Sequence, residues 1–143
     1  MKIASAKAKG NLLEDFIVDW LRNSKLDTRA YRQKGSGSGL NKGDIWNSLN
    51  IHFECKNQKQ ASFKEWFRQI EEENVSNLPA ALIWHLPQTA LENSKVVIDL
   101  WFFEKLLQHY REKRTVETPN KEIKYLLERI KTDAHQLIKK LED

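Results

Sequence analysis

From Ile51 to Lys56 apolar and polar side chains alternate without a break. Ile51, Phe53 and Cys55 fall on one side, and His52, Glu54 and Lys56 on the other. A period of two predicts a strand with one buried face. Ahead of it, Asp44-Ile45-Trp46 runs into the polar turn Asn47-Ser48-Leu49-Asn50, which predicts a strand pair. The period then changes. Leu13, Phe16, Ile17, Trp20 and Leu21 stand at helical spacing and predict a helix over 11–21. Phe63, Trp66, Phe67 and Ile70 predict another over 62–74, with Ser62 as N-cap and Glu65 three residues on.

Shorter signals fill the remainder. Residues 31–34 predict a short strand, 80–86 a buried strand closed by Pro87, and 95–100 one more. Residues 102–110 predict a short helix and 115–119 a polar loop. A long helix follows over 121–141, where Ile123, Leu127, Ile130, Ala134, Leu137 and Leu141 repeat at alternating steps of four and three, a heptad seam. Helices alternating with strands imply an α/β domain on a mixed β-sheet. The expected layout is one domain over 1–143, with its core at about 7–110 and a C-terminal helical extension at about 119–143.

Composition adds exclusions. The 143 residues are 40% hydrophobic, too apolar for a disordered polar tract. No run of ~18 apolar residues is present, and the N-terminus lacks the apolar stretch of a secretory signal. A soluble cytoplasmic domain without a membrane partner is expected. Cys55 is the single cysteine, which excludes an internal disulfide or a multi-cysteine zinc site.

Charge changes the picture more. Residues 1–70 carry 13 basic and 7 acidic side chains, whereas 71–143 carry 11 and 13. A basic half beside a slightly acidic one implies a surface for a polyanion. Three of the five glycines fall in Gly35-Ser36-Gly37-Ser38-Gly39, a loop suited to close approach to a ligand. It lacks the Gly-Lys-Ser/Thr ending of a P-loop, so no nucleotide cofactor is expected.

Chemistry concentrates on four ionisable residues. Glu54 and Lys56, at i and i+2 of one strand, share a face, and the hairpin can bring Asp44 beside them. Converging carboxylates repel, and a hard divalent cation with oxygen ligands relieves that repulsion. Magnesium, held by Asp44, Glu54 and the Cys55 carbonyl, could activate water and neutralise a phosphate; Lys56 could orient that water. Glu14, on the first helix, could hold a second metal or a metal-bound water.

These residues match a pattern. Gly43-Asp44, nine residues, then Glu54-Cys55-Lys56 resembles the PD-(D/E)xK nuclease signature, with Gly43 where the signature has proline. Lys9-Gly10-Asn11-Leu12-Leu13-Glu14, Arg32-x-x-Gly35-Ser36 and Lys42-Gly43-Asp44 are similar to segments of archaeal-type Holliday junction resolvases, and the Asp44-to-Glu54 gap resembles that of a phage junction-resolving endonuclease. The resemblance implies a restriction-endonuclease-like fold, an α-β-β-β-α-β core. It also implies a homodimer that cuts branched or four-way-junction DNA with Mg2+, or Mn2+ in its place. Glu14, Asp44 and Glu54 would be metal-coordinating and Lys56 catalytic. Lys9, Arg32, Lys34, Ser36, Ser38, Lys42, Lys59 and Gln69 would face DNA. A nicking, restriction or repair nuclease acting on linear duplex, or a silent DNA-binding module, are the alternatives.

Plainer readings apply elsewhere. His52 shares the Glu54 face and is expected at an exposed edge; His85, His109 and His135 are scattered. Cys55 points to the core and lacks a His partner for nucleophilic chemistry. The tryptophans belong mostly to the core, with Trp66 able to stack on an exposed base.

Overall fold

A computed structural model of the chain describes residues 6–33 and 43–142. They fall into two compact units, Met1–Asp99 and Leu100–Asp143. The first contains α1 (Ala6–Asn23), β1 (Tyr31–Arg32), β2 (Ile45–Trp46), β3 (His52–Asn57), α2 (Phe63–Glu73), β4 (Ala80–His85), a short 3-10 turn at Leu91–Asn93 and β5 (Lys95–Ile98). The second is one helix, α3 (Leu100–Glu142).

The five strands form one sheet in chain order, β1-β2-β3-β4-β5. Among the described residues only β3 and β4 run parallel, six residues in register from His52↔Ala80 to Asn57↔His85. Parallel neighbours need a crossover, and α2 supplies it. The expected mixed-sheet α/β architecture is therefore present, with α1 ahead of the sheet strands and α2 between β3 and β4.

Alternation along β3 and β4 divides the core. Phe53, Cys55, Ala81 and Ile83 pack with Leu13, Ile17, Val18 and Leu21 of α1 on one face. Leu82 packs with Trp66 and Ile70 of α2 on the other, flanked by Phe67, Trp84 and Val97. Trp66 is thus a core residue, set edge-on to Phe63 and unavailable for stacking on a base. Trp20, expected on the apolar face of its helix, is instead exposed. Leu82 is fully buried between two strands and beneath a helix. Leu82→Ala should cost ~2–5 kcal/mol, read as a lower urea midpoint with an unchanged slope.

Asp27 and Asn47 hold the loops to the sheet. Asp27 accepts amide hydrogen bonds from Arg29 (3.0 Å) and from Ser48 in the β2–β3 turn (2.5 Å). The Asn47 side chain closes that turn, donating to the carbonyl of Ile51 at 2.8 Å and accepting from its amide at 3.1 Å.

Several expected details differ. Ser62 precedes α2 but makes no side-chain capping bond, and Glu65 pairs with Arg68 one turn on. Residues 115–119 are helical, so the two expected C-terminal helices are one 43-residue element, and the helical unit begins at Leu100 rather than near 119. Polar composition marked those residues as a loop, yet α3 runs unbroken through them from Leu100 to Glu142. The seam residues Ile123, Leu127, Ile130, Leu137 and Leu141 are all exposed on α3. Among the described residues, no helix is long and apolar enough to cross a membrane.

Candidate metal centre

Asp44 lies just ahead of β2, where that short strand leaves the edge of β3. Its amide donates to the Phe53 carbonyl at 2.8 Å, and its carboxylate accepts the Cys55 amide at 2.6 Å. Gly43 makes this approach possible. A Cβ there would stand 3.1 Å from the Phe53 carbonyl oxygen and 3.4 Å from Nδ1 of His52. In a strand the N–H and C=O of one residue point to the same side, so the Cys55 carbonyl shares the edge that Asp44 occupies. The sequence expectation that Asp44 meets this strand is met.

The polar face of β3 is covered, not exposed. Trp66 and Ile70 of α2 lie over Leu82, while Gln69 and Glu73, also four residues apart, share the helix face toward β3. His52 is fully buried, so the expectation of an edge-exposed histidine is corrected: the crossover helix closes over it. Glu54 is 2% exposed. One of its oxygens pairs with Lys56 Nζ at 2.6 Å, and the other, Oε2, is buried without a hydrogen-bond partner among the described residues. Lys56 Nζ also donates to Gln69 Oε1 at 2.7 Å, and Gln69 Nε2 donates to Glu73 at 3.1 Å. Gln69, expected to face DNA, thus uses both ends of its amide to hold Lys56 and Glu73.

Burial and like charge act together here. Burial pushes the Glu54 carboxyl up to about 7, with Asp44 adding to the rise and Lys56 opposing it. Burial pushes Asp44 up to about 6; the Cys55 amide and Lys56 oppose this, and Glu14 and Glu73 reinforce it. Glu14 is raised by burial, while Arg32 at 3.9 Å draws it down. His52 is lowered by burial, against the pull of Glu73. The Cys55 thiol is driven well upward by burial and the surrounding carboxylates, which suits its core position and opposes any nucleophilic role. Glu14, Asp44, Glu54 and Glu73 therefore share one electrostatic site with Lys56.

A proton or a cation must offset this excess of buried negative charge. His52, Glu54 and Glu73 offer ligand atoms all within 4.8 Å of one another, and together they could hold a metal ion. The partnerless oxygen of Glu54 fits that role. Only Glu54 belongs both to this group and to the expected set of Asp44, Glu54, Glu14 and the Cys55 carbonyl. Glu73 went unseen in the sequence. Its signal was the pair Gln69 and Glu73 at the helical step beside Trp66 and Ile70, a polar stripe adjoining the buried one.

The residues expected to face DNA divide into groups. Lys34, Ser36, Ser38 and Lys42 lie outside the described residues. Arg32 is engaged by Glu14 and by Asp15 at 3.4 Å. Lys9 and Lys59 come together, lining a cleft of about 1070 Å³ with Asn57, Gln58, Gln60 and Gln88. His85, one of the scattered histidines, is buried with Nδ1 at 2.9 Å from Asn57 Oδ1 and Nε2 at 3.0 Å from the Thr89 carbonyl. No family model, curated protein or solved structure matches this chain.

Proposed function

We propose that this chain is a magnesium-dependent endodeoxyribonuclease of restriction-endonuclease-like fold, a Holliday junction resolvase that hydrolyses phosphodiester bonds in branched DNA. One observation carries the reading. Glu54 is almost wholly buried, with one oxygen on Lys56 and the other without a partner, beside a second carboxylate whose position is fixed by the Cys55 amide. An ordinary buried ion pair would have its remaining oxygen satisfied. Asp44, Glu54 and the Cys55 carbonyl would hold Mg2+, with Glu14 behind them. Mn2+ is an apt substitute, since it shares with magnesium a preference for carboxylate, carbonyl and water oxygens in octahedral geometry.

When bound, the cation supplies charge neutralisation on the phosphate and a more acidic water. The protein's own groups do the rest. Gln69 fixes the Lys56 ammonium beside Glu54, where it can orient the attacking water or donate to a phosphate oxygen as negative charge develops. Asp44 stays positioned because its carboxylate is tied to the strand it serves.

Resolution of a junction needs two cuts about the branch, which two copies in two-fold relation provide most simply. The exposed seam on α3 offers an apolar strip for a second copy. The test is a set of labelled substrates (linear duplex, single strand, flap and four-way junction) incubated with and without magnesium, together with light scattering for mass. Paired cuts in the junction by a dimer, only with metal, are the expected result. Cleavage of linear duplex without junction preference would assign a nicking, restriction or repair nuclease. Binding without cleavage in any metal would assign a silent DNA-binding module.

A further inference from the structure

Parallel strands leave a crevice beyond their carboxyl ends, and open α/β sheets commonly bind ligands there. In this sheet β3 and β4 are the single parallel pair, and their carboxyl ends open onto the cleft of about 1070 Å³ lined by Lys9, Lys59, Gln58, Gln60 and Gln88. Its walls are braced. The Asn57 amide donates to the Lys9 carbonyl of α1 at 2.9 Å and meets His85 of β4 at 2.9 Å, so three elements are tied at the floor. Trp84 Nε1 fixes the other wall by donating to the Gln58 carbonyl at 2.9 Å.

The rim carries a specific signal. Leu86-Pro87-Gln88-Thr89 is a turn closed by the Thr89 amide on the Leu86 carbonyl at 3.3 Å, and Gln88 stands in it at φ 69°. With proline second and a positive φ third, this is the type II pattern, whose third position favours glycine. A glutamine held there keeps a side chain at a backbone cost, which points to work for that amide.

Beside Leu86, Pro87 and two hydroxyls, the lining carries two lysines, four carboxamides and, among the described residues, no carboxylate. Lysines complement phosphates. A glutamine amide presents a donor and an acceptor together, the pair that matches N6 and N7 of adenine. We infer that this cleft binds an unpaired nucleic-acid strand next to the metal centre, with Lys9 and Lys59 on its phosphates and Gln88, with Gln58 or Gln60, reading adenine. This rests on the nucleic-acid reading above and adds base selectivity to it. Lys56 and Asn57 adjoin on β3, so the cleft opens at the end of the strand that carries the proposed site.

The probe is a fluorescein-labelled single-stranded oligonucleotide of about ten residues, within the span one small domain covers. Adenine, cytosine and thymine tracts are compared by anisotropy in EDTA, so that cleavage plays no part. Adenine tracts should bind about tenfold more tightly than the others. Gln88→Gly suits the turn and removes only the amide; it should abolish that preference while leaving the melting temperature unreduced. Lys9→Ala and Lys59→Ala should weaken every tract alike, each lowering the slope of log affinity against log salt by about 0.7.

Equal binding of all three tracts, or a preference that survives Gln88→Gly, overturns the base-reading assignment. Unchanged salt slopes in both lysine variants overturn the phosphate assignment. Cleavage assays on the same proteins separate the two readings. Selective binding without metal-dependent cleavage removes the nuclease and keeps the cleft. Metal-dependent cleavage with cleft variants behaving as wild type does the reverse.

Discussion

Glu54→Gln should leave the protein folded and able to bind junction DNA while lowering its cleavage rate by on the order of a hundred- to a thousandfold, the loss expected when one preorganised charged group is removed from a site. The amide keeps an oxygen for Lys56, so the ion pair becomes a hydrogen bond and packing under α2 is preserved. What disappears is the buried negative charge that faces the cation. Asp44→Asn should have a comparable effect for the same reason. Lys56→Ala should slow cleavage while magnesium still binds, since Asp44 and Glu54 remain. Single-turnover rates on a four-way junction, with magnesium affinity by calorimetry, separate these cases. A wild-type rate in Glu54→Gln would end the metal-nuclease reading.

The metal-free protein should lose stability as pH rises. An unperturbed glutamate titrates near 4.5, and in the folded protein Glu54 titrates at about 7. Between these values the folded state holds a proton that the unfolded chain has released, so unfolding becomes more favourable with increasing pH. At about 1.4 kcal/mol per pKa unit, Glu54 alone accounts for on the order of 3 kcal/mol. Asp44, raised to about 6, acts in the same direction. Urea titrations in EDTA should therefore show a midpoint that falls from mildly acidic to mildly alkaline pH. Glu54→Gln should flatten the profile and be the more stable protein on the alkaline side. Magnesium added there should restore the wild type by ~2.7 kcal/mol at a hundredfold excess over its dissociation constant. A flat or rising wild-type profile would mean that these carboxylates are solvated.

Alternation and spacing made Glu54, Lys56 and Asp44 legible, because i and i+2 on a strand share a face whatever the rest of the chain does. The hairpin fixed Asp44 through a local turn. His52 and Glu73 were not legible together. Their meeting depends on how a crossover helix lies on the sheet, which is set by Trp66 and Ile70 over Leu82 and not by any short-range spacing. The same non-local packing moved His52 from an expected edge into the interior and turned Gln69 inward. The cleft escaped notice because its two walls, 57–60 and 86–89, are distant in sequence and join only through the parallel pairing of β3 with β4. At the C-terminal end, the heptad positions predicted a helix correctly but gave no reason to carry it back through 115–119 to Leu100.

Helix α3 has a consequence for how the molecule breathes. Its 43 residues would extend ~64 Å, and large apolar side chains stand exposed along it from Leu100 to Leu141. Solvent-exposed helical turns fray, and Pro119 removes one backbone donor from the helix interior. Its amides should therefore trade hydrogen for deuterium far faster than those of β3 and β4, whose exchange requires opening the core. If a second copy covers the seam, that fast exchange should slow as protein concentration rises, while the sheet amides keep the same rate.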